Sequence, residues 1–471
     1  MKKIALIPID NRPVCYTLPK MIADIDADIQ LIMPNRNLLG GLTKYADTTA
    51  LFEWLEEIRN VDYIVISADT LIYGGLIPSR RIEADFGEIE QKVLRLRNIL
   101  LQKEDCKTLV FSSIMRISNN NCNEEEKEYW SEYGEKIFAY SYNLHRAEAE
   151  GNDAARRKAD EISKEIPKEI LIDWLATRAR NFEINKMYVK MYDDGLIDKL
   201  VYSKDDCAQF GLNVKEANYF AYEAESRKNV LVKTGADEIP LTLLSACVSD
   251  GKQVKIAPIY TNPDEISKIS KYEDVSVKDS VESQILTAGA KVSSPDDADL
   301  MLYVNNFKNE QGELVMNVDT EPFCGEIMTF EKPYFVVDIL NANGADNSFV
   351  EKLFETGMNE HFCGYSAWNT TGNSLGSGIA AALAKFLAKK YDDTAFKKLQ
   401  TVRFLDDWAY QANLRKIFKS ENLRDLNEVK NRFGFYEEKV KTVLNTADFD
   451  AKYSFPWNRT FEIQVRPEIF I

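Results

Sequence analysis

The sequence predicts an α/β fold built on a mainly parallel sheet, either a (β/α)8 barrel or a related architecture. Short apolar runs of about five residues alternate with longer amphipathic segments, which is typical of βα units. The apolar runs repeatedly end in Asp, Asn, Arg or Glu instead of ordinary turn residues. In parallel α/β folds the carboxyl ends of the strands form one face, and that face carries the ligand site. The pattern therefore indicates an enzyme.

Ten segments are predicted to be strands: 3–9, 29–33, 62–67, 108–114, 199–203, 230–234, 254–259, 300–305, 334–340 and 363–368. Helical patterns lie between them, including 47–59, 86–101, 214–228, 281–289 and 375–390. A closed barrel of this kind has eight strands. Either two strands belong to an insertion or the chain forms two sheets, and we favour a barrel-like first part.

We expect a catalytic α/β domain over residues 1–390 and a C-terminal extension of helices and a strand, 391–471, packed against it. Within the first domain, residues 123–195 form a highly charged helical insertion without a clear strand. Two helices crossing the strand-end face could act as a lid, with Arg178, Arg180 and Asn181 reaching the site. The alternative is an amphipathic hairpin whose arginines are solvated.

Composition excludes several function classes. The 471 residues are 45% hydrophobic, enough to bury a large core. The net charge of -16 argues against a nucleic-acid partner. Seven scattered cysteines without a CxxC pair suggest neither a zinc site nor a disulfide framework. No segment approaches the roughly 20 apolar residues of a membrane helix. We expect a cytoplasmic protein with no membrane partner; its oligomeric state is not specified.

Carboxylates are expected to carry the chemistry, because the chain has only two histidines. His145 falls in a charged helical pattern and is expected on the surface, while His361 precedes a strand and is expected to pack or cap. The chain therefore has too few histidines to favour a catalytic triad or a multi-histidine zinc site. What remains is a carboxylate pair for general acid/base catalysis, or a carboxylate cluster that binds a hard cation such as magnesium.

The strongest catalytic candidates are Asp205 and Asp206, in LVYSKDDCAQFG at the end of a predicted strand. Two adjacent acids in a partly closed pocket cannot both ionise cheaply, so one stays charged while the pKa of its neighbour rises. The alternative is that one of them caps the following turn or helix. Asp237 and Glu238 form a second acid pair, although Asp237 could simply cap the next helix.

The remaining candidates are polar or aromatic residues near strand ends, and we assign them to binding of a small-molecule or oligosaccharide substrate. Side-chain amides suit hydroxyl-rich ligands, and Trp368 could stack on a sugar ring, although core packing is the alternative. We expect no cofactor and assign no metal. The substrate-binding candidates are Asp10, Asn11, Arg12, Asp69, Tyr73, Arg116, Asp237, Glu238, Asp338, Asn343, Trp368, Asn369 and Asn373.

Seven sequence blocks, taken in order, resemble the bacterial family known as domain of unknown function 4127. They are IPIDNRPVCYTLP, SADTLIYGGLIPSRR, SKDDCAQFG, TGADEIPLTLL, NANGAD, GYSAWNTTGNSLG and PWNRTFEI. The resemblance runs nearly end to end. It implies that the blocks belong to one unit, so that the strand-end residues share a single site.

A looser similarity suggests a reaction. An Asp-Asp pair at a strand end, followed later by a Trp-Asn segment, is similar to retaining hexosaminidases, in which the acetamido group of the substrate is the nucleophile. This resemblance implies that Asp205 orients and polarises the acetamido group and that Asp206 is the general acid. Asn343 and Asn369 would bind sugar hydroxyls, and Asp237 or Asp338 could do the same. Glycoside hydrolysis is therefore the leading hypothesis.

Two other classes stay open. A metal-dependent hydrolase or lyase would bind magnesium or manganese, with Arg12 or Arg80 binding an anionic substrate. Its metal ligands would come from Asp10, Asp69, Asp205, Asp206 and Asp237. A non-catalytic carbohydrate- or metabolite-binding protein would use the same polar face without turnover.

Overall fold

A computed structural model describes residues 1–103, 105–205, 207–356, 358–446 and 448–469. The mainly parallel α/β architecture is confirmed, and each of the ten predicted strands is present with ends within two residues of the prediction. These strands form two parallel sheets, which is one of the two arrangements that a count of ten strands allowed. The first sheet has the order β2-β1-β3-β4-β5-β6. Its strands are β1 (Lys2–Ile7), β2 (Ile29–Ile32), β3 (Tyr63–Ser67), β4 (Lys107–Ile114), β5 (Lys199–Lys204) and β6 (Val230–Thr234).

The second sheet has the order β13-β11-β9-β7-β8. Two smaller pairs, β10 with β12 and β14 with β15, complete the strands. The strands that follow the first sheet are β7 (Lys255–Tyr260), β8 (Lys291–Val292), β9 (Leu300–Asn305), β10 (Gly312–Glu313), β11 (Tyr334–Asp338), β12 (Asn341–Ala342), β13 (Phe362–Ser366), β14 (Phe449–Ser454) and β15 (Gln464–Ile469).

Helices cover and separate the sheets. The α-helices are α1 (Pro13–Ala23), α2 (Thr48–Glu57), α3 (Ala68–Tyr73), α4 (Leu76–Arg81), α5 (Phe86–Leu100), α6 (Trp130–Glu150), α7 (Asp153–Ser163), α8 (Lys168–Asp193), α9 (Leu212–Glu225), α10 (Ile239–Ser249), α11 (Val277–Thr287), α12 (Asn347–Thr356), α13 (Thr371–Leu387), α14 (Asp393–Arg403), α15 (Arg415–Ser420) and α16 (Leu426–Leu444). Short 3-10 helices span Arg36–Leu38, Pro263–Glu265 and Pro456–Asn458, and a π-helix spans Phe404–Leu414. None of these described helices combines the length and apolar character needed to cross a bilayer.

Two helices form the layer between the sheets. Helix α10 contacts β1, β3 and β4 of the first sheet and α13 on its other side, while α13 contacts β11 and β13 of the second sheet. The central strands are buried along their whole length, as with YIVIS in β3 and YFVVD in β11. Such continuous apolar runs are typical of parallel sheets covered on both faces. One hydrophobic core consequently runs from the first sheet through α10 into the second.

The helical insertion is tied to the first sheet by the residues proposed to reach a ligand. Arg178 donates to both carboxylate oxygens of Glu216, at 2.9 and 2.6 Å, and to a backbone carbonyl. Arg180 and Asn181 both donate to the carbonyl of Ser79. These side chains are buried and fasten α8 to α4, to α9 and to the segment that follows β4. They are therefore neither solvated, as one hypothesis held, nor in the cavity described below.

The surface position expected for His145 is wrong. The side chain is buried, and its Nδ1 accepts a hydrogen bond of 3.1 Å from the backbone N–H of Gly211. Burial lowers the pKa of His145 below its usual value. The charged pattern around it describes the outer face of α6, whereas His145 lies on the inner face against Phe210.

Candidate functional site

A cavity of about 600 Å³ opens at the carboxyl ends of both sheets. Its walls come from the segments that follow β1, β4, β5 and β6 of the first sheet, β13 of the second sheet and β12 of the small β10–β12 pair. This is the edge at which parallel α/β proteins bind ligands. The structure brings eight of the predicted site residues together here: Asp10, Arg12, Arg116, Asp205, Asp237, Asn343, Asn369 and Asn373.

Arg12 organises the floor of the cavity. Its guanidinium donates to Asp10 at 2.8 Å, to Asp237 at 2.5 Å and to Glu462 at 3.0 Å. All four side chains are buried. Three buried carboxyl groups around one cation cannot all ionise without leaving excess negative charge. The cluster should therefore retain a proton near neutral pH.

Asp237 is the member of this cluster that best fits a proton carrier. Burial, together with the negative charges of Asp10 and Glu462, raises the pKa of Asp237 to about 7 despite its ion pair with Arg12. The pKa of Glu462 is also raised, chiefly by burial. Asp237 lines the cavity. Glu238, not Asp237, is the capping residue of α10, and it makes no side-chain capping bond. Asp237 is thus available for chemistry near neutral pH.

The floor also contains a possible set of metal ligands. Ligand atoms of Asp10, Cys15 and Asp237 lie within 4.8 Å of one another. Both carboxylates, however, already accept hydrogen bonds from Arg12. Burial raises the pKa of the Cys15 thiol well above its usual value, which disfavours the thiolate that a metal requires. This cluster fits a guanidinium cation better than a metal ion.

Asp205 lies on a wall lined by charged side chains. Its carboxylate is 3.3 Å from Arg116 and 3.7 Å from Arg80. Arg116 also pairs with Glu125 at 2.9 Å. Although burial opposes the shift, Arg116, Arg80 and Arg459 lower the pKa of Glu125 to about 2. The arrangement stabilises the charged form of Glu125. Asp206, the second member of the predicted catalytic pair, lies outside the described residues.

Side-chain amides line another part of the cavity. Asn343 and Asn369 both have positive φ, 64° and 54°, a conformation that Asn tolerates better than most residues. The backbone N–H of Asn343 donates to the carbonyl of Asn369 at 2.7 Å. Asn373 is buried, and its amide oxygen has no hydrogen-bond partner among the described residues. An acceptor of this kind fits a hydroxyl or amide donor from a ligand.

Sequence analysis missed the C-terminal contribution. Trp457, Arg459 and Phe461 line the cavity, and Trp457 Nε1 donates to Asn11 Oδ1 at 2.7 Å. Two guanidinium groups lie near the Trp457 ring, that of Arg12 at 5.1 Å and that of Arg459 at 4.7 Å from the ring centroid. The PWNRTFEI block contained a signal for this contribution. Its Trp-Asn-Arg sequence places polar side chains next to an aromatic ring, which is unusual in a segment whose side chains only pack in the core. Other lining residues that were not predicted include Glu125, Lys204, Tyr272, Glu273, Glu313, Arg415 and Lys419.

Several predicted residues lie away from the cavity lining. Asn11 does not line the cavity itself, but its side chain accepts the hydrogen bond from Trp457, which does. Asp69 and Tyr73 are buried in α3, and Asp69 accepts a 2.8 Å bond from the N–H of Ser113. Trp368 packs in the core.

Two further predicted acids stabilise the fold and do not line the cavity. Glu238 pairs with Lys233 at 2.7 Å, deep in the protein. Asp338 accepts bonds from Asn305 Nδ2 and from the N–H groups of Leu340 and Asp346. Both side chains are buried.

Comparison with known proteins identifies a family and no activity. A family model described as "Protein of unknown function (DUF4127)" matches residues 4–466. No curated protein and no solved structure matches the chain.

Proposed function

We propose that this chain, which belongs to the DUF4127 family of proteins of unknown function, is a glycoside hydrolase whose active site is the cavity at the carboxyl ends of the two sheets. One observation carries the proposal. Asp237, an acid with its pKa raised to about 7, faces the same cavity as the ion-paired carboxylate of Asp205. Cleavage of a glycosidic bond needs a proton donor for the leaving oxygen and a carboxylate that stabilises the positive charge formed on the sugar.

Asp237 takes the role of proton donor in this proposal. Its raised pKa leaves a substantial protonated fraction near neutral pH, and Arg12 stabilises the carboxylate that remains after proton transfer. Asp205 faces the substrate as a carboxylate oriented by Arg116 and Arg80, and it either stabilises the oxocarbenium-like transition state or polarises an acetamido group. Asp206 stays a candidate for the second position of the acid pair.

The other walls supply recognition of the sugar. The amides of Asn343, Asn369 and Asn373 offer donors and acceptors for hydroxyl groups. Trp457 offers an indole at the cavity edge, the type of surface on which the apolar face of a sugar ring stacks. A volume of about 600 Å³ lies within the usual range of small-molecule sites.

Hydrolysis of a panel of chromogenic glycosides, including N-acetyl-hexosaminides, tests the proposal. We expect Asp237→Asn to lower kcat about 100-fold or more, because general acid catalysis contributes that much. Asp205→Asn and Asp206→Asn should also lower it. Since the donor must be protonated, kcat/KM of the wild type should fall as the pH rises through about 7. Asp296→Asn, at an exposed acid outside the cavity, should change nothing.

The outcomes separate the three function classes. Turnover that Asp237→Asn, Asp205→Asn and Asp206→Asn impair and a chelator leaves intact supports a glycosidase. Turnover lost with chelator supports a metal-dependent hydrolase. Saturable sugar binding without product, for every glycoside in the panel, supports a binding protein and contradicts the proposal.

A further inference from the structure

We infer that the sugar bound in this cavity carries an anionic group, and that Arg415 binds it. The inference rests on the proposed function for the sugar part of the ligand, whereas the anionic part rests on the charges of one wall. That wall is formed by Arg415 and Lys419 of α15, by Glu313 of β10 and by Asn343, and we call it the cationic wall.

Arg415 differs from the other arginines of the cavity. Arg12 pairs with three carboxylates, Arg116 with Glu125 and Asp205, and Arg459 with Glu125. Arg415 is only 9% exposed, and its Nη1 donates to two neutral amide oxygens, Gln411 Oε1 at 3.0 Å and Asn343 Oδ1 at 3.4 Å.

Within the described part of the chain, no carboxylate oxygen lies within 4.0 Å of the Arg415 guanidinium. Burying a guanidinium without a neutralising partner is costly, and proteins rarely do so without reason. Burial lowers the pKa of Arg415, although Glu313, Asp406 and Glu462 act in the opposite direction. These three acids already have other partners: Asn343, Arg403 and Arg12, respectively.

Lys419 adds a second positive charge to the wall. It lies four residues after Arg415, on the same face of α15, and its side chain is exposed at the cavity. Glu313 is the one acid of the cationic wall, and its carboxylate accepts bonds from Asn343 and from the N–H groups of Val315 and Met316. The cationic wall therefore has two positive side chains and one carboxylate, and that carboxylate already accepts hydrogen bonds from its neighbours. The net charge of the wall is positive.

The chemistry of this wall selects the ligand class. A guanidinium binds carboxylates and phosphates through paired hydrogen bonds. The amides of Asn343 and Asn373 adjoin the same space and suit hydroxyl groups. An anionic group and hydroxyls in one molecule describe an acidic sugar, either a uronic acid or a sugar phosphate.

Calorimetric titration of the full chain tests the inference without requiring turnover. The probes are D-glucuronate, D-galacturonate and glucose 6-phosphate, with glucose and galactose as neutral counterparts. We expect at least one acidic probe to bind about tenfold or more tightly than its neutral counterpart. Arg415→Gln should remove that preference. Lys416→Gln, on the same helix but outside the cavity lining, should leave it unchanged.

A second variant guards against misfolding of Arg415→Gln. Lys419 is exposed, so Lys419→Gln should keep the fold, which circular dichroism checks, and still weaken the acidic probe severalfold. A preference for uronates assigns a carboxylate, and a preference for glucose 6-phosphate assigns a phosphate. Equal binding of acidic and neutral probes, or acidic binding that neither Arg415→Gln nor Lys419→Gln weakens, overturns the inference.

The two proposals fail separately. Glycoside hydrolysis without any preference for acidic substrates would leave the glycosidase standing and remove the anion site. Acidic sugars that bind through Arg415, in a protein that cleaves none of their glycosides, would leave the anion site standing and remove the glycosidase.

Discussion

Arg12 joins three distant parts of the chain at a single buried cation. Asp10 belongs to the loop after β1, Asp237 to the loop after β6 and Glu462 to the segment before β15. Each carboxylate accepts from a different nitrogen of the guanidinium. The planar fork of arginine suits this arrangement, because its nitrogens point in fixed and different directions. One side chain thereby sets the geometry of the cavity floor and the protonation of Asp237.

Arg12→Lys should destabilise the protein although it keeps the charge. A single ammonium cannot reach all three carboxylates, so buried acids lose their partner. Losses of about 3–5 kcal/mol are typical when a buried ion pair is broken. Urea denaturation measures the free energy of unfolding. The matched control is Arg432→Lys, since Arg432 is exposed and pairs with Glu428 and Glu421, and this substitution should leave the urea midpoint nearly unchanged. Equal urea midpoints for the two variants would contradict the role assigned to Arg12.

At the scale of elements, the π-helix Phe404–Leu414 determines where Arg415 lies. It continues α14 directly and runs directly into α15. π-Helical turns are rare and often occur at functional sites. Near its start, Asp407 accepts a 2.8 Å bond from the N–H of Ala367, next to the end of β13. The segment thus fixes the helix against the second sheet and sets the direction in which α15 presents its side chains.

Deleting Asn413 should remove the anion site by changing the register of the helix that follows. Loss of one residue turns the following helix by about 100°, because an α-helix has 3.6 residues per turn. Arg415 and Lys419 would then leave the cationic wall, and affinity for the preferred acidic sugar should fall about tenfold or more by titration calorimetry. Asn413→Ala keeps the length of the helix and should bind nearly as the wild type does. Unchanged affinity in the deletion variant would show that the register of this helix is unimportant.

Across the whole molecule, many carboxyl groups are buried, and their protonation links stability to pH. Burial raises the pKa of Asp69, Asp338 and Asp406 to about 7 each. A carboxyl whose pKa is higher in the folded state than in the unfolded chain stabilises the fold below the unfolded value, near 4, and loses that contribution as the pH rises through the folded value. Stability should therefore decline between about pH 4 and slightly above 7. His145 acts oppositely at the acidic end, since burial lowers its pKa.

Asp69→Asn should flatten part of this decline. A single carboxyl with a folded pKa of about 7 contributes a loss of ~1 kcal/mol between pH 6.5 and 8. The asparagine does not titrate, and its amide oxygen can still accept from Ser113. The measurement is the free energy of unfolding in urea at both pH values for wild type and variant. Parallel declines in the two proteins would mean that Asp69 is already ionised in the fold.

The strands could be predicted from the sequence because each is a local apolar run with clear ends. The division into two sheets could not, since pairing between strands depends on contacts far apart in the chain. The same distinction applies to the cavity. Asp10, Asp205 and Asn343 follow strands and were found from that rule. Arg415 and Trp457 follow no strand of either sheet, and only the packing of the C-terminal region brings them to the cavity.

The Arg12 cluster has a consequence for synthesis of the chain. Glu462 lies 450 residues after Arg12. At typical translation rates of 5–20 residues per second, between roughly 20 and 90 s pass before the ribosome supplies that carboxylate. During this time the first sheet can form, but its buried arginine lacks one of its three partners and the cavity lacks the wall that carries Trp457. A nascent chain would therefore expose this polar opening, and the cavity is completed only late in its synthesis.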